Sequence, residues 1–224
     1  MSVKNRNSIV TDGLSYCLDA GNELSYSGSG TSSIDLASNL VGTLTNGPTF
    51  DSSNGGSFVF DGSDDGIQVS HDSAIAFTSA LTNEVWFKLD SFPSGSNRYT
   101  LCTKYRSYYM NVYNQRISVY TYWSNGSRQN SGYTDSTSTL SLNTWHQAVF
   151  TESTSGLRKI YIDGQLDKTQ QKEASIWLEQ DLLYVGGHDG RFLDGRIARV
   201  NLYNRELSAS EVLQNYNALK NRFI

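Results

Sequence analysis

The sequence predicts an all-β protein, a two-sheet antiparallel sandwich closed by one short C-terminal helix. Nineteen glycines and only two prolines lie among Ser, Thr and Asn clusters that separate short apolar runs, which is the rhythm of strands and turns. Two hairpins are legible from their turn residues. The 224 residues, 38% hydrophobic and 12% aromatic, suffice for a packed core, and sandwiches of this length run as single units. The reading is therefore an arm over residues 1–12 and one domain over 13–224.

Strands are expected at Ser15–Asp19, Ser57–Asp61, Ile67–Val69, Leu81–Leu89, Tyr99–Lys104, Tyr108–Tyr113, Arg116–Trp123, Trp145–Ser153, Arg158–Ile162, Leu182–Gly186 and Gly195–Tyr203. Asn114 and Gln115 make a two-residue loop that sets Tyr113 opposite Arg116 and Tyr109 opposite Tyr120. Alternation then assigns Met110, Val112, Ile117, Val119 and Thr121 to the core. Tyr109, Asn111, Tyr113, Ser118, Tyr120 and Tyr122 fall on the opposite face, which reads as a surface. Asp163-Gly164 marks a second tight hairpin. Ser208 and Glu211 form a capping box ahead of Val212, Leu213, Tyr216 and Leu219 at helical spacing. The Gly- and Ser-rich stretch Ser25–Ser33 reads as a surface loop.

Charge and composition exclude several classes. Eighteen Lys and Arg against 22 Asp and Glu give a net charge of −4, so a broad basic surface for nucleic acid is not expected. No stretch approaches the roughly 18 to 20 apolar residues of a membrane helix, so membrane insertion is not expected. The N-terminal MSVKNRNSIVTDG has no apolar h-region, which predicts no export by a signal peptide. Cys17 and Cys102 lack metal or disulfide spacing and read as buried thiols.

Six segments, in order, resemble the laminin G-like, concanavalin A-like lectin family, in the variety found in tailed-phage virion structural proteins. They are Gly13–Asn22, Gly42–Phe50, the FDG-type segment Phe60–Gly66, Asn143-Thr144-Trp145-His146, Tyr161-Ile162-Asp163-Gly164 and Leu202–Glu211. The chain departs from the family pattern at Ser33–Val41, which lacks the Trp and the Gly/Asn-rich loop that usually follow, and at Gly66, where an aromatic is common. The resemblance implies a jelly-roll sandwich, a lectin-like surface, and calcium at the sandwich rim in many relatives.

Several residues carry candidate chemistry. Glycan hydrolysis on this fold needs two carboxylates roughly 5 to 10 Å apart. The ExDxxE strand motif is absent, and Glu84, Asp90, Asp163 and Asp181 are scattered and mostly border turns. GxSxG and HExxH are also absent, His71, His146 and His188 lie far apart, and His146 reads as a half-buried strand residue. Asp61, Asp64 and Asp65 offer hard oxygen ligands for Ca²⁺, and a turn stabilised by Asx-type hydrogen bonds is the competing reading. Tyr109, Asn111, Tyr113, Tyr120 and Tyr122 form a carbohydrate- or partner-binding candidate, since aromatic rings stack on sugars and phenols and amides hydrogen-bond them. The same face also suits a protein interface or ordinary packing. Asn125-Gly126-Ser127 matches a glycosylation sequon by chance, and Arg191 sits in a loop where it would meet a carboxylate, a partner or solvent.

The expectation is thus a non-enzymatic virion structural or decoration protein, of the head, tail or fibre. It would be assembled in the host cytoplasm and displayed on the virion surface, where it contacts host glycans or other virion proteins, as an oligomer in some arrangements. The alternatives are a glycan-cleaving enzyme on the same fold and a purely architectural capsid or tail subunit without ligand.

Overall fold

Alternating side chains become two-faced strands through most of the chain, as a computed structural model describing residues 8–122, 132–172 and 176–224 shows. The strands are β1 (Leu14–Asp19), β2 (Ser32–Ile34), β3 (Val41–Thr45), β4 (Thr49–Asp51), β5 (Ser57–Asp61), β6 (Gly66–Val69), β7 (Leu81–Leu89), β8 (Tyr99–Lys104) and β9 (Tyr108–Tyr113). They continue as β10 (Arg116–Thr121), β11 (Thr134–Asp135), β12 (Trp145–Glu152), β13 (Leu157–Ile162), β14 (Gln165–Gln171), β15 (Leu183–Val185), β16 (Gly187–His188), β17 (Arg191–Phe192) and β18 (Asp194–Tyr203). The helix α1 (Ala209–Phe223) follows. No described helix is long and apolar enough to cross a membrane.

One eight-stranded sheet runs β14-β13-β12-β7-β18-β5-β4, with β1 also paired to β18. The other eight-stranded sheet runs β11-β10-β9-β8-β15-β6-β3-β2, and all pairings are antiparallel. Their inner faces bury Phe58, Phe60, Val85, Phe87, Phe150 and Ile197 against Ile67, Met110, Val112, Ile117, Val119 and Val185. This is the antiparallel two-sheet jelly-roll sandwich that the sequence predicts.

The outer face of the first sheet is covered by α1. Ser208 Oγ accepts from Glu211 N, and Glu211 accepts in return from Ser208 N at 2.8 Å, so the capping box is formed. The Arg205 guanidinium 2.7 Å from Glu211 helps hold that carboxyl down, to about 2. Beneath the helix, Trp86, Trp145 and Ala198 pack on Phe223, with Tyr216 and Leu219 alongside. Cys17 and Cys102 are buried and unbridged.

Two expectations change. Ser25–Ser33 is not a plain surface loop: Ser25 and Tyr26 are buried, Tyr26 packs 4.9 Å from Phe58, and Ser32 and Ser33 open β2. Serine made the segment read as loop, yet the Ser25 hydroxyl works as a backbone partner, accepting from Asp19 N and donating to Ile34 O. In the segment expected as an arm, residues 1–7 lie outside the described ones, whereas Val10 is buried, donates to Asn215 Oδ1 at 2.8 Å and accepts from Tyr203 Oη. The sequon at Asn125-Gly126-Ser127 and the expected strand end at Trp123 also lie outside the described residues.

Candidate functional site: a tyrosine-lined cavity on the second sheet

The β9–β10 hairpin has the register its turn dictates. Asn114 and Gln115 adopt φ of 46° and 63°, the left-handed pair of a two-residue hairpin turn, and Tyr113 faces Arg116, Asn111 faces Ser118, and Tyr109 faces Tyr120. Met110, Val112, Ile117 and Val119 point into the core. The opposite face, expected as an open surface, is instead largely covered. Tyr109, Tyr120 and Tyr122 are 5%, 8% and 7% exposed, and Asn111 and Ser118 are buried outright.

The physical reason is that the rings pack on each other and on remote segments. Tyr120 and Tyr122 meet edge to face at 5.0 Å, and Tyr109 lies 5.6 Å from Tyr122. Tyr105 and Trp177 pack against this cluster, with Trp177 N bonded to Tyr122 O at 2.8 Å, and the Tyr133 ring lies tilted 5.1 Å from that of Tyr120. What remains is a cavity of about 260 Å³ walled by Tyr105, Tyr109, Tyr120, Tyr122 and Tyr133. Gly132 completes one wall, and Asp189 and Arg191, on the tip and second strand of the β16–β17 hairpin, form another.

Of the five residues expected to act together, the structure brings Tyr109, Tyr120 and Tyr122 to this cavity. Tyr113 stands apart beneath the Arg98 guanidinium, 4.0 Å from its ring centre. Asn111 lies between them, and both its amide atoms are buried without a hydrogen-bond partner. Sequence reasoning missed Tyr105 and Tyr133, which sit in connections without periodicity, whereas Asp189 lies in the loop already singled out for Arg191. Tyrosine enrichment was the only signal of the two tyrosines.

A buried ion pair pins the wall. Arg158, on β13, lies 2.8 Å from Glu152, on β12, and both side chains are essentially inaccessible. Arg158 also donates to Thr121 Oγ at 2.6 Å, to Thr134 Oγ at 3.2 Å and to the Gly132 carbonyl at 3.3 Å. Burial raises the Glu152 carboxyl above its usual range despite that partner. The strand that carries Tyr120 and the segment that carries Tyr133 thus share one charged anchor.

Around the cavity, the Tyr109 hydroxyl accepts from Arg106 N at 2.9 Å, and burial raises its pKa far above the usual phenol value. Asp189 and Arg191 make a loose pair at 3.7 Å. His188 is packed between Tyr184 at 4.1 Å and Tyr105 at 4.9 Å, its Nε2 is buried without a partner, and burial lowers its pKa.

Among the described residues, Asp189 is the one carboxylate lining the cavity. Glu84 lies in the middle of β7, the strand in which the sequence places it, beneath α1 and held by Gln147, Asn201 and Asn215. Asp90 pairs with Arg196 at 2.7 Å, and Asp163 holds His146 Nδ1 at 2.9 Å. Lys104 donates to the Asp181 carbonyl.

Asp61, Asp64 and Asp65 place one carboxylate oxygen each within 4.8 Å of one another. Asp65 is buried, and desolvation, with the Asp61 and Asp64 charges, raises its pKa. Their hard oxygens and uncompensated charge fit a Ca²⁺-type ion. Turn bonds are present as well, since Asp65 accepts from Asp61 N and Asp61 from Ser63 N.

With this geometry in hand, the sequence matches over residues 61–213 the family described as the concanavalin A-like lectin/glucanases superfamily. The chain belongs to that superfamily. No curated protein matches the sequence significantly. Solved structures share the fold at low identity. The binding domain of Paraclostridial Mosquitocidal Protein 1 superposes with a TM-score of 0.72 at 14% identity, covering 92% of this chain and 52% of that one. The botulinum neurotoxin serotype D ligand binding domain, in complex with N-acetylneuraminic acid, gives 0.70 at 18%, covering 92% and 50%. Domain 4 of AbnA, a GH43 extracellular arabinanase from Geobacillus stearothermophilus, in complex with arabinotriose, gives 0.68 at 16%, covering 91% and 98%. This superfamily chain thus spans about half the length of the toxin domains and nearly all of the arabinanase domain.

Proposed function

We propose that this protein is a non-catalytic, lectin-like module that takes a saccharide into the tyrosine cavity over β9 and β10. The observation that carries the reading is the cavity itself, about 260 Å³ with five tyrosine walls. It is a small site of the size and aromatic character that suit one or two sugar rings. That relatives of the same fold are described with N-acetylneuraminic acid and with arabinotriose lends support. A single lining carboxylate supports binding over hydrolysis, which needs two.

On the same reading the module sits on a virion surface beside other virion proteins and contacts host glycans. The support for this is the resemblance to tailed-phage structural proteins. Detection of the chain in purified particles by mass spectrometry is the expected outcome, and its absence from them overturns the virion assignment.

Glycan-array binding of the folded protein, with Ca²⁺ and again with chelator, tests the lectin reading. Binding that is lost in a Tyr109→Ala, Tyr120→Ala double variant with an unchanged circular dichroism spectrum is the expected result. Silence from a well-folded wild type overturns it in favour of an architectural subunit. Loss of binding on chelation would support an ion at Asp61, Asp64 and Asp65, which are the described residues that could hold one.

A further inference from the structure

Between the tyrosines lies a row of polar side chains that ring stacking does not use. By alternation along β9, Asn111 sits between Tyr109 and Tyr113 on the outer face, and register sets Ser118 directly opposite it. They are 1% and 0% exposed, yet Asn111 Nδ2, Asn111 Oδ1 and Ser118 Oγ have no hydrogen-bond partner. Folded proteins rarely leave such atoms unpaired, and three in one row call for a functional account.

The roof over this row is made of rings and one cation. Tyr133 lies 5.1 Å from Tyr120, the Arg98 guanidinium lies 4.1 Å from the Tyr133 ring centre, and the same guanidinium lies 4.0 Å from that of Tyr113. Tyr120 and Tyr113 flank the Asn111–Ser118 pair, so the arc from Tyr120 through Tyr133 and Arg98 to Tyr113 spans it from side to side. Tyr133 is also a wall of the cavity, which makes the arc continuous with it.

Arg98 is held without a counter-charge. Among the described residues it forms no ion pair, and its Nε is buried without an acceptor. Asp135, which register sets opposite Ser118, does not pair with it. A guanidinium packed within about 4 Å of two ring centres has less freedom left to lose on binding, and its fork matches the two oxygens of a carboxylate. In a chain of net charge −4, that is a local feature that the overall charge does not predict.

We propose that the saccharide taken by this site is acidic. Its carboxylate docks on Arg98 at the Tyr133 end of the cavity, and its neighbouring hydroxyl or acetamido groups pair with Asn111 and Ser118 as the Arg98–Tyr133 roof opens. This inference rests on the tyrosine-cavity reading and names its ligand class.

The test is calorimetric titration of the full chain with glucuronic acid and with N-acetylneuraminic acid, each beside its own methyl ester. At least one acid is expected to bind about tenfold tighter than its ester, as a charge-assisted hydrogen bond requires, with the preference shrinking as salt is raised. Arg98→Gln should abolish the preference for acid over ester, and Arg98→Lys, which keeps the charge without the fork, should retain part of it. Thermal unfolding of both variants verifies that they fold. Equal binding of acid and ester, or a preference that survives Arg98→Gln in a folded protein, overturns the inference and leaves the tyrosine-cavity reading standing. Binding of neither acid nor ester, alongside neutral glycans that bind on the array, overturns the inference alone. Silence towards every sugar overturns both.

Discussion

The two outer faces of the sandwich bury polar groups in opposite ways. Beneath α1, the Glu84 carboxylate receives Gln147 Nε2 at 2.7 Å, Asn215 Nδ2 at 2.7 Å and Asn201 Nδ2 at 3.3 Å, all from the chain itself. Beneath the Tyr133–Arg98 roof, Asn111 receives nothing. Aromatic rings follow the same division. Trp86 is stacked 4.5 Å from Phe223 and 5.7 Å from Tyr216, and its ring is fully covered, although its indole N–H and that of Trp145 go unpaired there. On the other face, five tyrosines surround a cavity. Both faces keep unpaired polar atoms, Trp86 Nε1, Trp145 Nε1 and Gln147 Oε1 on one and Asn111 and Ser118 on the other, but one face is covered by the chain's own helix whereas the other holds a cavity. On the proposed reading, the cavity face is the one that a saccharide completes.

The largest effects should come from the charged anchor and the sealed face. Arg158→Met leaves Glu152 buried without its partner and should cost about 3–5 kcal/mol in urea unfolding, loosening the Gly132–Tyr133 wall as well. A cost under about 1 kcal/mol would mean that Glu152 is readily solvated or protonated. Trp86→Ala should also cost about 3–5 kcal/mol by opening a hole under α1, while glycan binding by the folded fraction stays unchanged. Loss of binding in that variant would break the division between the faces.

Smaller changes sharpen it. Ser208→Ala removes the N-cap and should cost about 1 kcal/mol, read as a lowered thermal midpoint with cavity binding intact. On the cavity side, burial holds His188 neutral below its usual 6.5, so the unfolded chain takes up the proton first. Stability should therefore decline as pH falls below about 6.5, towards the lower pKa of the folded state. His71, lowered by burial and by the Lys104 charge, adds in the same direction. His188→Gln should flatten part of that decline, and a variant with an unaltered pH profile would show that His188 does not carry it.

Much of the fold was legible because its signals are local. The Asn114-Gln115 turn and the alternation of Tyr108–Thr121 gave register and core, and the Ser208 and Glu211 pair gave the helix start. Short edge strands such as β2, β4 and β11 were not legible, since two or three residues carry no periodicity. The tyrosine face was identified, but its burial was not. Its cover comes from Tyr105, Tyr133, Trp177 and the β16–β17 hairpin, which only the tertiary fold brings together. The strand that carries Glu84 was legible, but its burial was not, because nothing in the sequence says that α1 returns to cover β7.

The most direct test of the account is to observe the aromatic ring signals by NMR while the protein is titrated with a glycan that it binds on the array. The account predicts shifts at Tyr105, Tyr109, Tyr120, Tyr122 and Tyr133, with Trp86 and Trp145 unmoved. Shifts confined to Trp86 and Trp145, or none at the tyrosines, would contradict it.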